Sequence, residues 1–416
     1  MTSKWPAASF RIISLIASAL AIVLFVIAMP LAHAQFKVIY SFTGGADGGW
    51  PEGGVAFDAK GNAYVTTQFG GNLSCNPPLG CGTVVKIDTT GKETVLHAFN
   101  GGTDGAYPYI TAMLAMGYIW GTTSAGGGAS GCFGSGCGTR FKIKISTLQY
   151  NVTYSFTGGT DGGMPFGGLT LGKGGILYGV TAFGGDLSCG VAPAGCGVLY
   201  QVDAAGKQTT LYSFTGSTDG ANPLYGNVVF DKAHNFVYLT TQKGGDLTCN
   251  PPFGCGALDE WDIVSQVMKT VARYPSPTAT FPDSQPTLYK KAVYGVAALG
   301  GANGKGTVVK YDQVTGKFVV LHDFGNGTDG ATPIGGVVFD ASGNLFGTTE
   351  LGGQFGNGTL FKIDTTGAET VVHDFNLTTD GGVPVGAITY NSKTKNLYGT
   401  ALESSPGSGI VWSYKP

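Results

Sequence analysis

One phrase returns from end to end of this chain, and its period restricts the fold more than any other feature. It reads Phe-Thr-Gly-Gly, then Asp-Gly-x-x-Pro, then a short apolar run closed by Asp-x-x-Gly-Asn. Its leading aromatic stands at Phe42, Phe99, Phe156, Phe214, Phe324 and Phe375. A fixed period in the range of about 20–50 residues or slightly more marks an array of units, none of which can bury its own apolar face alone. The interval between Phe214 and Phe324 is double. Tyr274, in Arg273-Tyr274-Pro275, falls near the missing position. The chain therefore carries seven units, one of them eroded.

Each unit resolves into four short strands. In the first, the apolar run Gly54–Phe57 ends in Asp58-Ala59-Lys60-Gly61-Asn62, and Ala63–Thr67 follows. A long Gly/Cys loop leads to Thr83–Asp88, a Thr-Thr-Gly-Lys turn and Glu93–Phe99. Runs rich in β-branched and aromatic residues between Gly, Asp and Asn turns read as antiparallel strands. Past the N-terminal segment, no long stretch has helical periodicity. The expected fold is all-β, a seven-bladed β-propeller of four-stranded blades. Phe36–Phe42 matches the fourth strand of a unit, while the last unit holds only three strands: Val385–Tyr390, Asn396–Ala401 and Ile410–Tyr414. The N-terminal strand is expected to complete the last blade and close the ring, which leaves no open sheet edge.

At Phe339–Thr349, Phe-Asp-x-x-Gly-Asn-Leu-Phe-Gly-Thr-Thr, the chain resembles the bacterial GloVer-type tandem-repeat family. The resemblance covers nearly all of the chain after its N-terminal segment. It implies an exported repeat protein, and it lends no catalytic residues because the family carries no established activity. Members often end in a surface-sorting segment. This chain stops at Ser413-Tyr414-Lys415-Pro416, inside the closing blade, so free secretion is the expectation.

Lys4 and Arg11 precede the apolar stretch Ile12–Met29, and Ala32-His33-Ala34 follows. That order reads as a secretory signal peptide over residues 1–34, with 35–416 as one propeller domain. The other reading is a retained anchor helix, since the apolar stretch is just long enough to span a bilayer. Export agrees with eight cysteines, spaced as four close pairs: Cys75 with Cys81, Cys132 with Cys137, Cys189 with Cys196, and Cys249 with Cys255. Each pair occupies the same place in its own unit, so four local disulfides are expected rather than zinc sites. The protein is expected to be secreted or periplasmic, and a monomer. A net charge of -2 gives no electrostatic case for nucleic acid or an anionic membrane.

Strand order puts the long B–C loops and the D–A connections on one face, and the tight A–B and C–D turns on the other, with strands lettered from hub to rim. Long loops on a rigid scaffold are where function usually sits. A ligand is therefore expected on the loop face, off-centre toward the four stapled units. The repeated acids Asp47, Asp104, Asp161, Asp219, Asp329 and Asp380 are candidate ligand-binding carboxylates. The competing reading is a turn device, with each carboxylate accepting nearby backbone N–H groups. Calcium needs six to eight oxygens, and each unit offers about one acid, so no metal or other cofactor is expected. His97, His322 and His373 share one position with Tyr40, Tyr154 and Tyr212, which suits packing with one hydrogen bond better than catalysis.

Two irregularities stand out. Asp259 occupies the slot of Val85, Phe141, Tyr200, Val309, Phe361 and Trp412. A carboxylate there is costly unless paired, and Arg273 is the expected partner. Unit five lacks Asp-Gly, and the spacing from Pro286 to Gly295 predicts a short inner strand. Trp50, Tyr107, Tyr109 and Tyr225 follow the phrase near the hub, where some could stack on sugar rings. No motif marks a nucleophile, and no Gly-Lys-Ser/Thr enters a helix. The leading expectation is a binding propeller for a glycan, a cell-wall polymer or a protein. The alternatives are a polysaccharide lyase or hydrolase with acids at the hub, and a structural surface protein.

Overall fold

The computed structural model describes residues 36–416 apart from 130, 190–193, 276, 326–327 and 406. The expected signal segment lies outside the described residues. The described chain forms seven antiparallel four-stranded sheets, each meandering from an inner strand A to an outer strand D. Blade one consists of Ala56–Phe57, Ala63–Thr67, Thr83–Ile87 and Glu93–Ala98. Blades two to six repeat that order. In blade seven, Thr389–Asn391, Asn396–Ala401 and Ile410–Tyr414 are completed by Phe36–Ser41 as strand D. The fold is the seven-bladed propeller the period implies, closed by its first strand. No helix among the described residues is long and apolar enough to cross a membrane.

The core lies between blades, not within them. Seven apolar clusters form, one at each interface. The phrase aromatics Phe42, Phe99, Phe156, Phe214, Phe324 and Phe375 are all wholly buried in these clusters, with Tyr274 taking the same place in blade four. A size exchange across strands B and C fills most of the sheets. Gly121 faces Phe141, Gly347 faces Phe361 and Gly399 faces Trp412. A methyl group on any of these glycines would lie 2.3–2.4 Å from the facing ring, so the large residue on strand C requires the small one on strand B.

The Asp-Gly-x-x-Pro phrase is the hinge between blades. In all seven copies the residue before the proline has a positive φ, from 51° to 60°: Trp50, Tyr107, Met164, Asn222, Phe281, Thr332 and Val383. That conformation costs roughly 1–3 kcal/mol for a non-glycine residue, so it persists only where the surroundings impose it. Two backbone bonds do so here. The N–H of Thr332 donates to Lys305 of the preceding blade at 2.8 Å, and its carbonyl accepts from Glu350 of its own blade at 2.9 Å. All seven copies make this pair of bonds. The proline ring then packs on the glycine that opens strand C of the preceding blade, as Pro384 does on Gly358.

Blade five keeps this hinge although it has lost the Asp-Gly. Phe281 donates to Cys255 at 3.2 Å, and Pro282 is the hinge proline. The expectation of a short inner strand is therefore corrected. Strand A spans Thr287–Tyr289, as long as its counterparts in most blades, and the shortening falls in the turn at Lys290-Lys291. Pro286 is an extra proline in the strand approach, and it obscured the true register.

Candidate functional site

Both elaborate loop sets share a face. In every blade an isolated bridge joins the D–A connection to the B–C loop, as at Gly49–Phe69 and Ala331–Leu351. The expected cysteine pairing is the one found. Cys75 is bonded to Cys81, Cys132 to Cys137, Cys189 to Cys196 and Cys249 to Cys255, each within its own B–C loop. None of the eight stands free, and none lines the hub cavity or the groove of the opposite face described below, so their part is to shape the loops. The second cysteine of each pair also supports the next hinge. The carbonyls of Cys81 and Cys137 accept the N–H groups of Tyr107 at 3.0 Å and Met164 at 2.7 Å. These loops carry most of the large exposed apolar side chains of the face, including Leu79, Phe133, Leu187 and Phe253. A groove of 910 Å³ on the opposite face, at the seam of blades seven and one, is lined by turn residues such as Lys60, Thr90 and Lys393.

The phrase aspartates sit at the turn before the hinge. Asp47 accepts from the Tyr40 hydroxyl at 3.1 Å and the Thr43 N–H at 2.9 Å. Asp161 and Asp219 are held by Tyr154 and Tyr212 in the same way, both at 3.0 Å. In the other three blades histidine replaces tyrosine: His97 lies 3.1 Å from Asp104, His322 3.1 Å from Asp329 and His373 3.0 Å from Asp380. The shared Tyr/His position thus supplies one hydrogen bond or ion pair to the turn acid. Burial works to raise the pKa of Asp104, but bonds from His97 and Asn100 outweigh it and hold the group below the usual carboxylate range.

Asp259 lies inside blade four and is fully buried. Its expected partner is corrected. Asp259 is register-paired with Thr270, whose hydroxyl donates to Oδ1 at 2.8 Å, while Arg273 pairs with Ala257 at the strand end. The second oxygen, Oδ2, has no partner. Burial pushes this carboxyl well above its ordinary range. Leu239 faces it from strand B, where most other blades carry glycine, so the bulk of this pair has moved from strand C to strand B.

The residue after each hinge proline turns toward the axis. In chain order these are Glu52, Tyr109, Phe166, Leu224, Asp283, Ile334 and Val385, all half-buried. Five of the seven line a hub cavity of about 330 Å³, joined by Tyr225, Gln242, Leu402 and the segments that lead into the inner strands. Two members of this ring are acids. Burial alone raises Glu52 to about 8. Burial also raises Asp283 to about 7, against a lowering hydrogen bond from Gln242 Nε2 to Oδ1 at 2.8 Å. Both charges act on Tyr225, whose hydroxyl is pushed up to about 12, mainly by burial. Of the aromatics expected near the hub, Tyr109 and Tyr225 line the cavity. Trp50 and Tyr107 stay at the hinge against Phe69, at ring distances of 5.3 and 5.8 Å.

None of Asp47, Asp104, Asp161, Asp219, Asp329, Asp380 or Asp259 lines this cavity. Glu52, Asp283 and Gln242 were missed in the sequence. For the two acids the signal was present: Glu52 and Asp283 depart from the apolar residues that follow the other hinge prolines, whereas the position of Gln242, after strand B, also holds Gln68 and Glu350 and does not single it out. Among the described residues no three His, Cys, Asp or Glu side chains gather as a metal-binding group.

The family model described as the Gloeobacter/Verrucomicrobia repeat matches residues 24–253 and 190–412. No curated protein matches the chain. Among solved structures, the extracellular domain of a one component system from B. thetaiotaomicron aligns at 11% identity and TM-score 0.58 over 91% of this chain and 40% of its own. This chain thus spans about 40% of that relative's length. The oligogalacturonate lyase from Vibrio parahaemolyticus aligns at 10% identity and TM-score 0.54 over 93% and 94%. A GH74 enzyme from Niastella koreensis aligns at 14% identity and TM-score 0.56 over 91% and 53%. At these identities the likeness is one of fold.

Proposed function

We propose that this chain, which belongs to the Gloeobacter/Verrucomicrobia repeat family, is an exported binding propeller that takes part of a saccharide in its hub cavity. The observation that carries this reading is the meeting of two carboxyls, neither facing a cation, with tyrosines around one cavity. Its volume, 330 Å³, falls in the range of about 300–1,000 Å³ typical of small-molecule sites. Convergent polar groups on an otherwise apolar wall are the usual form of such a site. A carboxyl both donates and accepts when protonated, and only accepts when ionised. The hub therefore offers the polar contacts that sugar hydroxyls need, beside rings on which a sugar face can stack. Four disulfides support an oxidising compartment, hence export to the periplasm or beyond.

The rest of the loop face extends the site. The exposed apolar tips at Leu79 and Phe253 and the turn carboxylates would meet the outer parts of a longer glycan or cell-wall polymer. A second reading is turnover. Two carboxyls in one cavity with unequal raised pKa values suit general acid–base work, and lyases occur among the solved propellers of this fold. Fold alone carries no activity, however, so binding is the primary reading.

A polysaccharide array probed with the mature protein, with and without calcium, tests it. Binding to defined saccharides, lost in Glu52→Gln and Asp283→Asn and weakened by Leu79→Ala, is the expected result. Unchanged binding in both hub variants would remove the hub from the site. Release of shorter products from a bound glycan would turn the reading to an enzyme, and a calcium requirement would bring in the turn aspartates.

A further inference from the structure

We propose that the hub takes the ammonium group of an amino sugar, so that the ligand is a saccharide bearing a free amine rather than a neutral or an acidic one. This rests on the saccharide reading above and narrows it by charge.

The first observation is a missing counter-charge. Glu52 makes no side-chain hydrogen bond or ion pair among the described residues, and Asp283 is met only by the neutral amide of Gln242. No Lys or Arg lines the cavity. None occurs anywhere in the seven D–A connections, and the B–C loops hold only Lys243 and Lys305. No cation on the surrounding loops therefore answers the two hub carboxyls, which become a negative pair when an arriving cation lets them ionise. A cavity lined by one sign of charge with apolar walls concentrates ions of the opposite sign. A polyuronate would bring no positive charge to let these carboxyls ionise, and its own carboxylates would oppose their ionisation.

The second observation is the aromatic wall. Tyr109 and Tyr225 line the cavity near Glu52, and Phe166, outside the lining, packs behind them, with ring distances of 4.9 Å (Tyr109–Phe166), 5.8 Å (Phe166–Tyr225) and 6.3 Å (Tyr109–Tyr225). Ring faces carry negative potential and attract cations, ammonium groups among them. Carboxyls and π-faces around one small cavity are complementary to a cation on an otherwise hydroxylated, stackable body. Burial favours the protonated form of both carboxyls. An arriving ammonium allows them to ionise, so binding releases protons to solvent.

The test compares the tetramer of glucosamine with the tetramer of N-acetylglucosamine on the full chain, by calorimetry at pH 6 in two buffers of different ionisation enthalpy. The free-amine tetramer is expected to bind at least about tenfold more tightly, with net proton release, and with a preference that shrinks as salt rises. Glu52→Gln should abolish the preference and Glu52→Asp should retain it, both checked for a native melting transition. Because the ligand comparison is made on the unmodified protein, it stands even where a variant fails to fold. Equal or tighter binding of the acetylated tetramer would overturn this inference and leave the saccharide reading intact. Failure of both tetramers, together with a blank array, would overturn both. A free-amine preference that persists in folded Glu52→Gln would overturn the hub as its origin.

Discussion

At the scale of single residues, the ring spends its buried charges at few places, and their titration should be visible. Asp259 has one oxygen bonded to Thr270 and the other without a partner. The single Thr270 hydroxyl proton is shared between Asp259 and the Thr218 carbonyl at 3.0 Å, so it retains an acceptor if the carboxyl is removed. Asp259→Val should then raise stability by about 1–3 kcal/mol, seen as a higher Tm. The sign with pH follows from linkage. A carboxyl whose folded pKa is raised holds a proton that the unfolded chain has already released, so native stability falls as pH rises above the ordinary carboxylate range. The gap between Asp259→Val and the parent should widen over that interval, and melting curves from pH 4 upward would read it. Glu52 and Asp283 act with the same sign up to about 8 and about 7. The double variant Glu52→Gln/Asp283→Asn should therefore reduce the pH dependence between about pH 4 and 8, leaving the share of Asp259 and of Glu369, which burial raises to about 7. A profile that stays as steep in the double variant would show that these carboxyls titrate normally.

At the scale of the element, the unit of construction is the hinge rather than the strand. The glycine opening strand C is fixed by three demands at once. Gly358 has φ 95°, and a Cβ there would lie 2.2 Å from the Thr349 carbonyl oxygen and 2.7 Å from Pro384 Cδ. Gly358→Ala should cost about 2–4 kcal/mol, because it adds backbone strain and pushes blades six and seven apart. Loss of one disulfide should cost less. The Cys196 carbonyl accepts the Asn222 N–H at 2.9 Å, and that bond does not depend on sulfur. Cys189→Ser/Cys196→Ser should lower Tm modestly while Gly358→Ala lowers it strongly; the reverse order would make the staples, not the hinges, the main constraint. The hinge also explains what was legible in the sequence. Strand boundaries, blade number and closure follow from period, turn residues and β-branched runs, which are local. Blade five was misread because its Asp-Gly is gone and Pro286 lies four residues past Pro282, so spacing alone chose the wrong proline. The hub acids escaped for a different reason. Recurrence draws attention to the copies of Asp47, whereas Glu52 and Asp283 show only when the seven units are superposed and read across.

At the scale of the whole molecule, stability depends on closing the circle once. Each of the seven interfaces has its own apolar cluster, so an open chain of blades would leave two unsatisfied faces, and closure removes both. The closing contact is made by Phe36–Ser41, which pairs with Ile410–Tyr414 from Phe36–Tyr414 to Ser41–Ile410. Phe36 stacks on His373 at 3.8 Å and meets Trp412 at 5.6 Å, so one strand ties the start of the ring to blades six and seven. Inner strands add to the seam: Thr389 donates to the Val55 carbonyl at 2.7 Å and Thr400 to the Gly53 carbonyl at 2.9 Å. Those bonds join blade seven to blade one without the closing strand, so the ring can remain associated after that strand is lost. What it cannot keep is a covered outer edge on blade seven. A chain beginning at Phe42 should therefore fold into a ring with Ile410–Tyr414 exposed as an edge. It should lose cooperativity, melt at least about 5 °C lower, and self-associate through that edge in a concentration-dependent way. A synthetic peptide of residues 36–41 added in trans should restore the monomer, as strand addition to a sheet edge does elsewhere. Sedimentation with and without the peptide decides the point. A truncated chain that stays monomeric with an unchanged melting transition would mean that the inner-strand bonds alone close the ring.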